Sequence, residues 1–144
     1  MEETVWKGQF VHVTTETKEE HVWERAYIPD GVVVFPVTDD GKILFIRERR
    51  PHETPPVRLK AISGVLDYGE KPIVSAQREI REEIGFRADD LKEFWHYSTS
   101  GTVNANTYFF LAKQLKESKL PNPDGEDIIE EVIAMTPAEV TAKI

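Results

Sequence analysis

Three carboxylates, Glu79, Glu82 and Glu83, crowd into the stretch REIREEIGF at residues 78–86. On a helix turning ~100° per residue, Glu79 and Glu83 fall one turn apart on the same side, with Glu82 alongside. Two unit charges ~5.5 Å apart repel by about 3 kcal/mol at an effective dielectric of 20. Such a cluster is either a solvated acidic face or a seat for a cation. The cation that suits it is hard and oxygen-seeking, Mg2+ or Mn2+, because the segment offers carboxylates and neither cysteine nor paired histidine.

Something must hold these acids in one place. Pro72 suits a first helical turn, Glu70 lies near its positive end, and Gly85 suits a left-handed stop. Ile73, Ala76, Ile80 and Ile84 recur at three- and four-residue intervals, which predicts an apolar stripe with the glutamates beside it. Before the helix, Gly64 and Gly69 allow a loop to fold back over the helix start without obstructing side chains. That loop brings a backbone carbonyl, of Ser63 or Gly64, towards the acids as a further hard ligand. Arg78 is placed to grip a neighbouring carboxylate such as Glu70 through two parallel hydrogen bonds.

The rest of the chain reads mainly as strands. Residues 4–15 and 20–28 flank the polar turn TETKEE and predict a hairpin. A second hairpin is expected from GVVVFPVTDDGKILFIRERR, where Asp39-Asp40-Gly41 supplies the turn. Further strands are expected over VRLKAIS, KEFWHYS, NTYFFLAK and EEVIAMT, with PNPDGED as a loop and Pro137 opening a short last helix. Strands on both sides of one strong helix point to an α+β or mixed-sheet sandwich.

Composition narrows the chemistry. The 144 residues suffice for one domain (1–144), and 40% hydrophobic with 31% charged residues indicates an ordered core. The absence of cysteine excludes disulfides and thiolate chemistry and fits a reducing cytoplasm. No apolar run approaches the ~18 residues of a membrane span, and MEETVWKGQF is no signal peptide. A net charge of −8 argues against nucleic acid as the main partner, though not against a small phosphorylated ligand held by a few arginines.

The spacing extends well beyond the helix. Gly64 is followed after five residues by Glu70, and after seven more by Arg78-Glu79-Ile80, Arg81, Glu82-Glu83, Ile84, Gly85 and Phe86. Residues 64–86 match the Nudix box at every fixed position, and the chain is identified by it as resembling the Nudix hydrolases. The resemblance implies an α/β/α sandwich with a mixed central sheet, preceded here by an N-terminal antiparallel β-hairpin (1–28). It implies Mg2+ (or Mn2+) held by Glu79, Glu82 and Glu83 with the Ser63 or Gly64 carbonyl, supported by Glu70 and Arg78. The implied reaction is attack of water on one phosphorus of a nucleoside diphosphate linked to another group.

Across residues ~6–137 the order of features is similar to the branch that cleaves ADP-ribose and related nucleotide sugars. That similarity implies a phosphate contact for Arg50, a substrate-side role for Arg25, and base recognition by Trp23 and Glu24. Trp6 would be an opposing stacking face for the base. Glu126, in DGEDIIEEV, matches the loop acid that takes a proton from the attacking water, with Glu82 as a second candidate and Asp124, Asp127 or Glu130 as neighbours able to replace it. The branch also implies a homodimer joined through the N-terminal sheet. Alternatives are a hydrolase of (d)NTPs or 5′-triphosphate RNA, and a sensor that binds nucleotide sugar without cleaving it. Two departures stand out: Lys60-Ala61-Ile62-Ser63 replaces the usual Glu-x-Pro-Ala before the first box glycine, and YSTSG lacks the expected proline. The C-terminal helix PAEVTAKI is short for the branch, as in an abbreviated member or a piece of a longer protein.

Overall fold

The computed structural model describes residues 1–144. Ten strands and two α-helices follow one another as β1 (Glu3–Lys7), β2 (His12–Lys18), β3 (His21–Tyr27), β4 (Gly31–Pro36), β5 (Ile43–Arg49), β6 (Val57–Lys60), β7 (Ile62–Val65), α1 (Pro72–Glu83), β8 (Phe86–Thr99), β9 (Val103–Glu117), β10 (Ile129–Met135) and α2 (Pro137–Thr141). The larger sheet runs β1-β2-β3-β9-β4-β7, with β8 also paired to β9. It is mixed, since β9 runs parallel to both β3 and β4 while β7 and β8 are antiparallel to their neighbours. The smaller antiparallel sheet is β10-β5-β6. Val32, Val34, Ile46, Ile62, Ala76, Ile80, Ala88, Phe110 and Ala112 form the core between the sheets and α1.

The α+β architecture with a mixed sheet agrees with the expectation, and three local details differ. The N-terminal segment is a three-stranded antiparallel meander rather than one hairpin, because the chain turns at Gly8–Phe10 before β2. The turn after β4 forms as expected, with Gly41 at φ +82° and Gly41 N–H donating to Thr38 O at 2.9 Å. Its arms nevertheless separate after the single Val37–Ile43 bridge, β4 joining the large sheet and β5 the small one. Each arm pairs elsewhere over six residues, β4 with β9 and β5 with β10. VRLKAIS likewise divides at Ala61 into β6 and β7, one strand in each sheet.

Helix α1 begins at Pro72 and stops where Gly85 takes φ +76°. Gln77 pins it to β8 with a reciprocal pair, its Nε2 donating to Ala88 O at 2.8 Å and its Oε1 accepting from Ala88 N–H at 2.9 Å. Its last carbonyls, which have no partner within a helix, are capped from residues 118–120: Leu120 N–H reaches Arg81 O at 3.1 Å and Lys119 Nζ reaches Glu82 O at 2.5 Å. The buried arc is displaced from the expected stripe. Ile73 is exposed and lines a cavity of about 590 Å3 behind the helix, while Ser75, Ala76, Glu79, Ile80 and Glu82 are buried.

Candidate active site

The three glutamates do not form a solvated face. Glu79 and Glu82 are 7% and 9% exposed, and Glu83 Oε2 is buried with no hydrogen-bond partner. Burial pushes the Glu79 carboxyl up to about 7 and the Glu83 carboxyl up to about 8. The first is opposed by the charge of Arg78 and the second by that of Lys60. A buried carboxylate oxygen left unpaired costs free energy in any ordinary structural role.

Arg78 organises the cluster. Its Nε and Nη2 donate to the two oxygens of Glu70 at 2.9 and 3.0 Å, and its Nη1 lies between Glu79 Oε1 at 2.8 Å and Glu82 Oε2 at 3.1 Å. Nη2 also reaches Val65 O at 3.2 Å, tying the helix to the end of β7. Glu70 in turn accepts from Asp67 N–H at 2.9 Å and closes the loop, and its carboxyl is held below the usual range, chiefly by the Arg78 hydrogen bond. The guanidinium thus bridges Glu79 and Glu82 while holding Glu70. No three acidic or imidazole groups converge into a ready-made ligand shell.

Gly64 supplies the wall opposite the acids. A Cβ on Gly64 would collide with the Glu79 carboxylate, so only glycine admits that side chain here. The register also separates the two candidate carbonyls. Leu66 N–H donates to Asp30 O, so in the alternating antiparallel ladder the Val32–Gly64 pair is hydrogen-bonded and the Gly64 carbonyl turns towards β4. Ser63 falls on the alternate position, and β7 is an edge strand, so the Ser63 backbone turns to the open side. The donor set therefore fits a hard divalent cation, with oxygens only, one of them on Glu83 buried and unpaired, and with Glu79 held against a bare glycine.

The NUDIX domain profile matches residues 28–144, from the end of β3 onwards. This chain belongs to the NUDIX family. It is 36% identical over 110 residues to the ADP-ribose pyrophosphatase of Bacillus subtilis (strain 168), covering 75% of this chain and 58% of that protein. It is 33% identical over 112 residues to the methanol dehydrogenase activator of Bacillus methanolicus, with the same two coverages. A crystal structure of an ADP compounds hydrolase superposes with a TM-score of 0.82 at 25% identity, covering 99% of this chain and 80% of that one. The chain spans 58% of the length of both curated relatives.

The residues this NUDIX domain was expected to turn towards a substrate are dispersed. Arg50 follows β5 and donates from Nε to Glu48 Oε2 at 2.6 Å, close enough to Asp124 to feel its charge. Glu126 starts a single 3-10 turn (Glu126–Ile128), and both its oxygens are engaged, Oε1 by Asn122 N–H at 2.8 Å and Oε2 by Lys119 Nζ at 3.1 Å. Those hydrogen bonds hold its carboxyl below the usual range. Asp124, on the same loop, adds its charge to the causes that raise the Glu79 carboxyl.

Trp6, Trp23, Glu24 and Arg25 all lie on the N-terminal strands. Arg25 pairs with Glu16 at 3.1 Å and Glu2 at 3.9 Å rather than with the helix acids. Trp23 and Arg25 share one face and line a cavity of about 650 Å3 with Lys18, Glu19, His21 and Gly101. Glu24, the next residue along the strand, points to the other face. Trp6 sits opposite Val13 and Trp23 opposite Glu16, positions of opposite parity on β2. Within one subunit, therefore, the two indoles lie on opposite faces of the sheet and cannot sandwich one base. Glu48, 3% exposed on β5 and accepting from Lys60 Nζ at 2.8 Å, was not among the expected residues; an acid in the inward phase of an apolar strand was the available signal.

Proposed function

We propose that this NUDIX domain is a metal-dependent hydrolase of the diphosphate bond of ADP-ribose or another nucleoside diphosphate sugar, releasing nucleoside monophosphate and sugar phosphate. The observation that carries the reading is the unpartnered, buried Oε2 of Glu83, together with the neighbouring Glu79 carboxylate packed against a glycine that cannot be anything larger. Glu79, Glu83 and Glu82 would hold Mg2+ (or Mn2+) with the Ser63 carbonyl. When bound, such an ion supplies positive charge against the diphosphate and lowers the pKa of a water.

The chain's own residues do the rest. Arg78 and Glu70 keep the loop 64–70 closed on the helix, and the third Arg78 donor bridges Glu79 and Glu82 and offsets their repulsion. Arg50 neutralises a phosphate oxygen. An acid of the 122–128 loop, Glu126 once freed from Lys119, takes the proton of the attacking water as its oxygen bonds to phosphorus. The bridging P–O bond breaks, and its electron pair leaves with the other phosphate. Exposed Val5, Trp6, Phe10, Val22 and Trp23 support a homodimer through the N-terminal strands, in which a base could meet Trp23 of one subunit and Trp6 of the other. The absence of cysteine and of any helix long and apolar enough to cross a membrane supports a cytoplasmic setting.

Product analysis tests the reading directly. ADP-ribose, GDP-mannose, dATP and 5′-triphosphate RNA are incubated with Mg2+ and with chelator. AMP and ribose phosphate from ADP-ribose, only with Mg2+, are expected. Turnover of dATP or RNA alone would move the assignment to a triphosphate-cleaving NUDIX enzyme, and tight binding with no turnover would make the protein a sensor.

A further inference from the structure

Lys60 is a charged residue on the inner face of a sheet. In the β5–β6 register it lies opposite Ile46, which has no exposed surface. Its Nζ donates to Glu48 Oε2 at 2.8 Å, the same oxygen that accepts from Arg50 Nε at 2.6 Å. Glu48 is only 3% exposed, and burial alone would raise its pKa, yet the two cations hold it below the usual range. One carboxylate thus gathers two cations, and the further acid near them, Glu53 at 3.9 Å from Arg50 Nε, is shared with Arg58 at 3.0 Å, so positive charge is left over. Both keep donors to spare: neither Nη of Arg50 has a hydrogen-bond partner, and Lys60 uses one of its three protons.

Lys60 lies three residues before Ser63, whose backbone turns to the open side of β7 near the α1 acids. The charge of Lys60 acts on Glu83, and that of Asp124 on both Arg50 and Glu79. A bound diphosphate would then have carboxylates and their cation on one side and this fixed pair of cations on the other.

We propose that Lys60 is a substrate-binding residue which, with Arg50 and anchored by Glu48, forms a two-cation clamp for the phosphate of the diphosphate that water does not attack. The clamp rests on the diphosphatase reading above. The competing role is structural: β6 is an edge strand, and an inward lysine deters sheet-to-sheet pairing there.

The test compares wild type, Lys60→Met and Lys60→Arg by steady-state kinetics with ADP-ribose and Mg2+. Calorimetric titration with α,β-methylene ADP-ribose accompanies it. In Lys60→Met, KM and the analogue Kd should each rise about 10–100-fold, the range for a hydrogen bond to a charged group, with kcat within about 3-fold. Lys60→Arg should recover most of that loss. Unchanged Kd in Lys60→Met, with thermal stability alone reduced, would overturn the clamp and leave the edge-strand role. Should Lys60→Met fail to fold, Lys60→Gln, which keeps a donor to Glu48, carries the same comparison. If wild type neither binds the analogue nor cleaves ADP-ribose, the diphosphatase reading falls first; if it does both and the variants match it, only the clamp falls.

Discussion

Glu79 rests its carboxylate against the bare Cα of Gly64, so closely that a methyl group there would overlap it. A strand residue and a helix residue fifteen positions apart are thereby locked in one geometry, with Gly64 spending its backbone on the β4 ladder. Gly64→Ala should push Glu79 out of the cluster while β7 remains paired. Mg2+ affinity by calorimetry should fall by about 10–100-fold, as when a supporting partner of a ligand is lost, with the circular dichroism spectrum unchanged. Wild-type affinity in this variant would mean that Glu79 does not hold the ion.

The raised carboxyls make stability depend on pH. In the metal-free protein Glu79 and Glu83 titrate near 7 and 8, against an ordinary value of 4.5. Between those limits the folded chain binds more protons than the unfolded chain, so stability is highest at the acid end and declines as pH rises. Glu48 and Glu70 are shifted downwards, and their opposite contribution changes only below about pH 4.5. Melting in EDTA should therefore show a loss on the order of a few kcal/mol from about pH 5 to about pH 8.5. Glu83→Gln should flatten part of the slope, and saturating Mg2+ should remove it. A melting temperature that climbs through this window in EDTA would contradict the burial argument.

Arg78→Lys keeps the charge and loses the fork. Lysine cannot satisfy both oxygens of Glu70 and also bridge Glu79 and Glu82, so the loop and the acids lose their common anchor. Turnover should drop by about 10–100-fold with Mg2+ present, with little recovery at high substrate. A variant as active as wild type would show that the bidentate pair is incidental.

For Trp23, the expected effect is on binding. Trp23→Ala should raise KM for ADP-ribose by about 5–100-fold, the worth of one stacked base, and leave kcat nearly constant. Mixing Trp23→Ala with Trp6→Ala subunits should restore some wild-type sites if the two indoles come from different subunits. No restoration, together with a monomer by light scattering, would remove both the shared site and the dimer.

What could be read from the chain alone was local. Pro72 and Gly85 bound the helix, Glu79, Glu82 and Glu83 follow its repeat, and Arg78 finds Glu70 across a loop of fixed length. These depend on backbone preferences and on neighbours a few residues away, which sequence specifies directly. The tertiary structure decided everything that required distant segments to meet. It sent β4 and β5 to different sheets, where each is paired on both edges, β4 by β9 and β7 and β5 by β10 and β6. It turned the Gly64 carbonyl to β4 and Ser63 outwards, put Trp6 and Trp23 on opposite faces, and set Lys60 beside Glu48. Above all it buried the glutamates, because desolvation depends on what the rest of the chain lays over a side chain and not on the residues beside it.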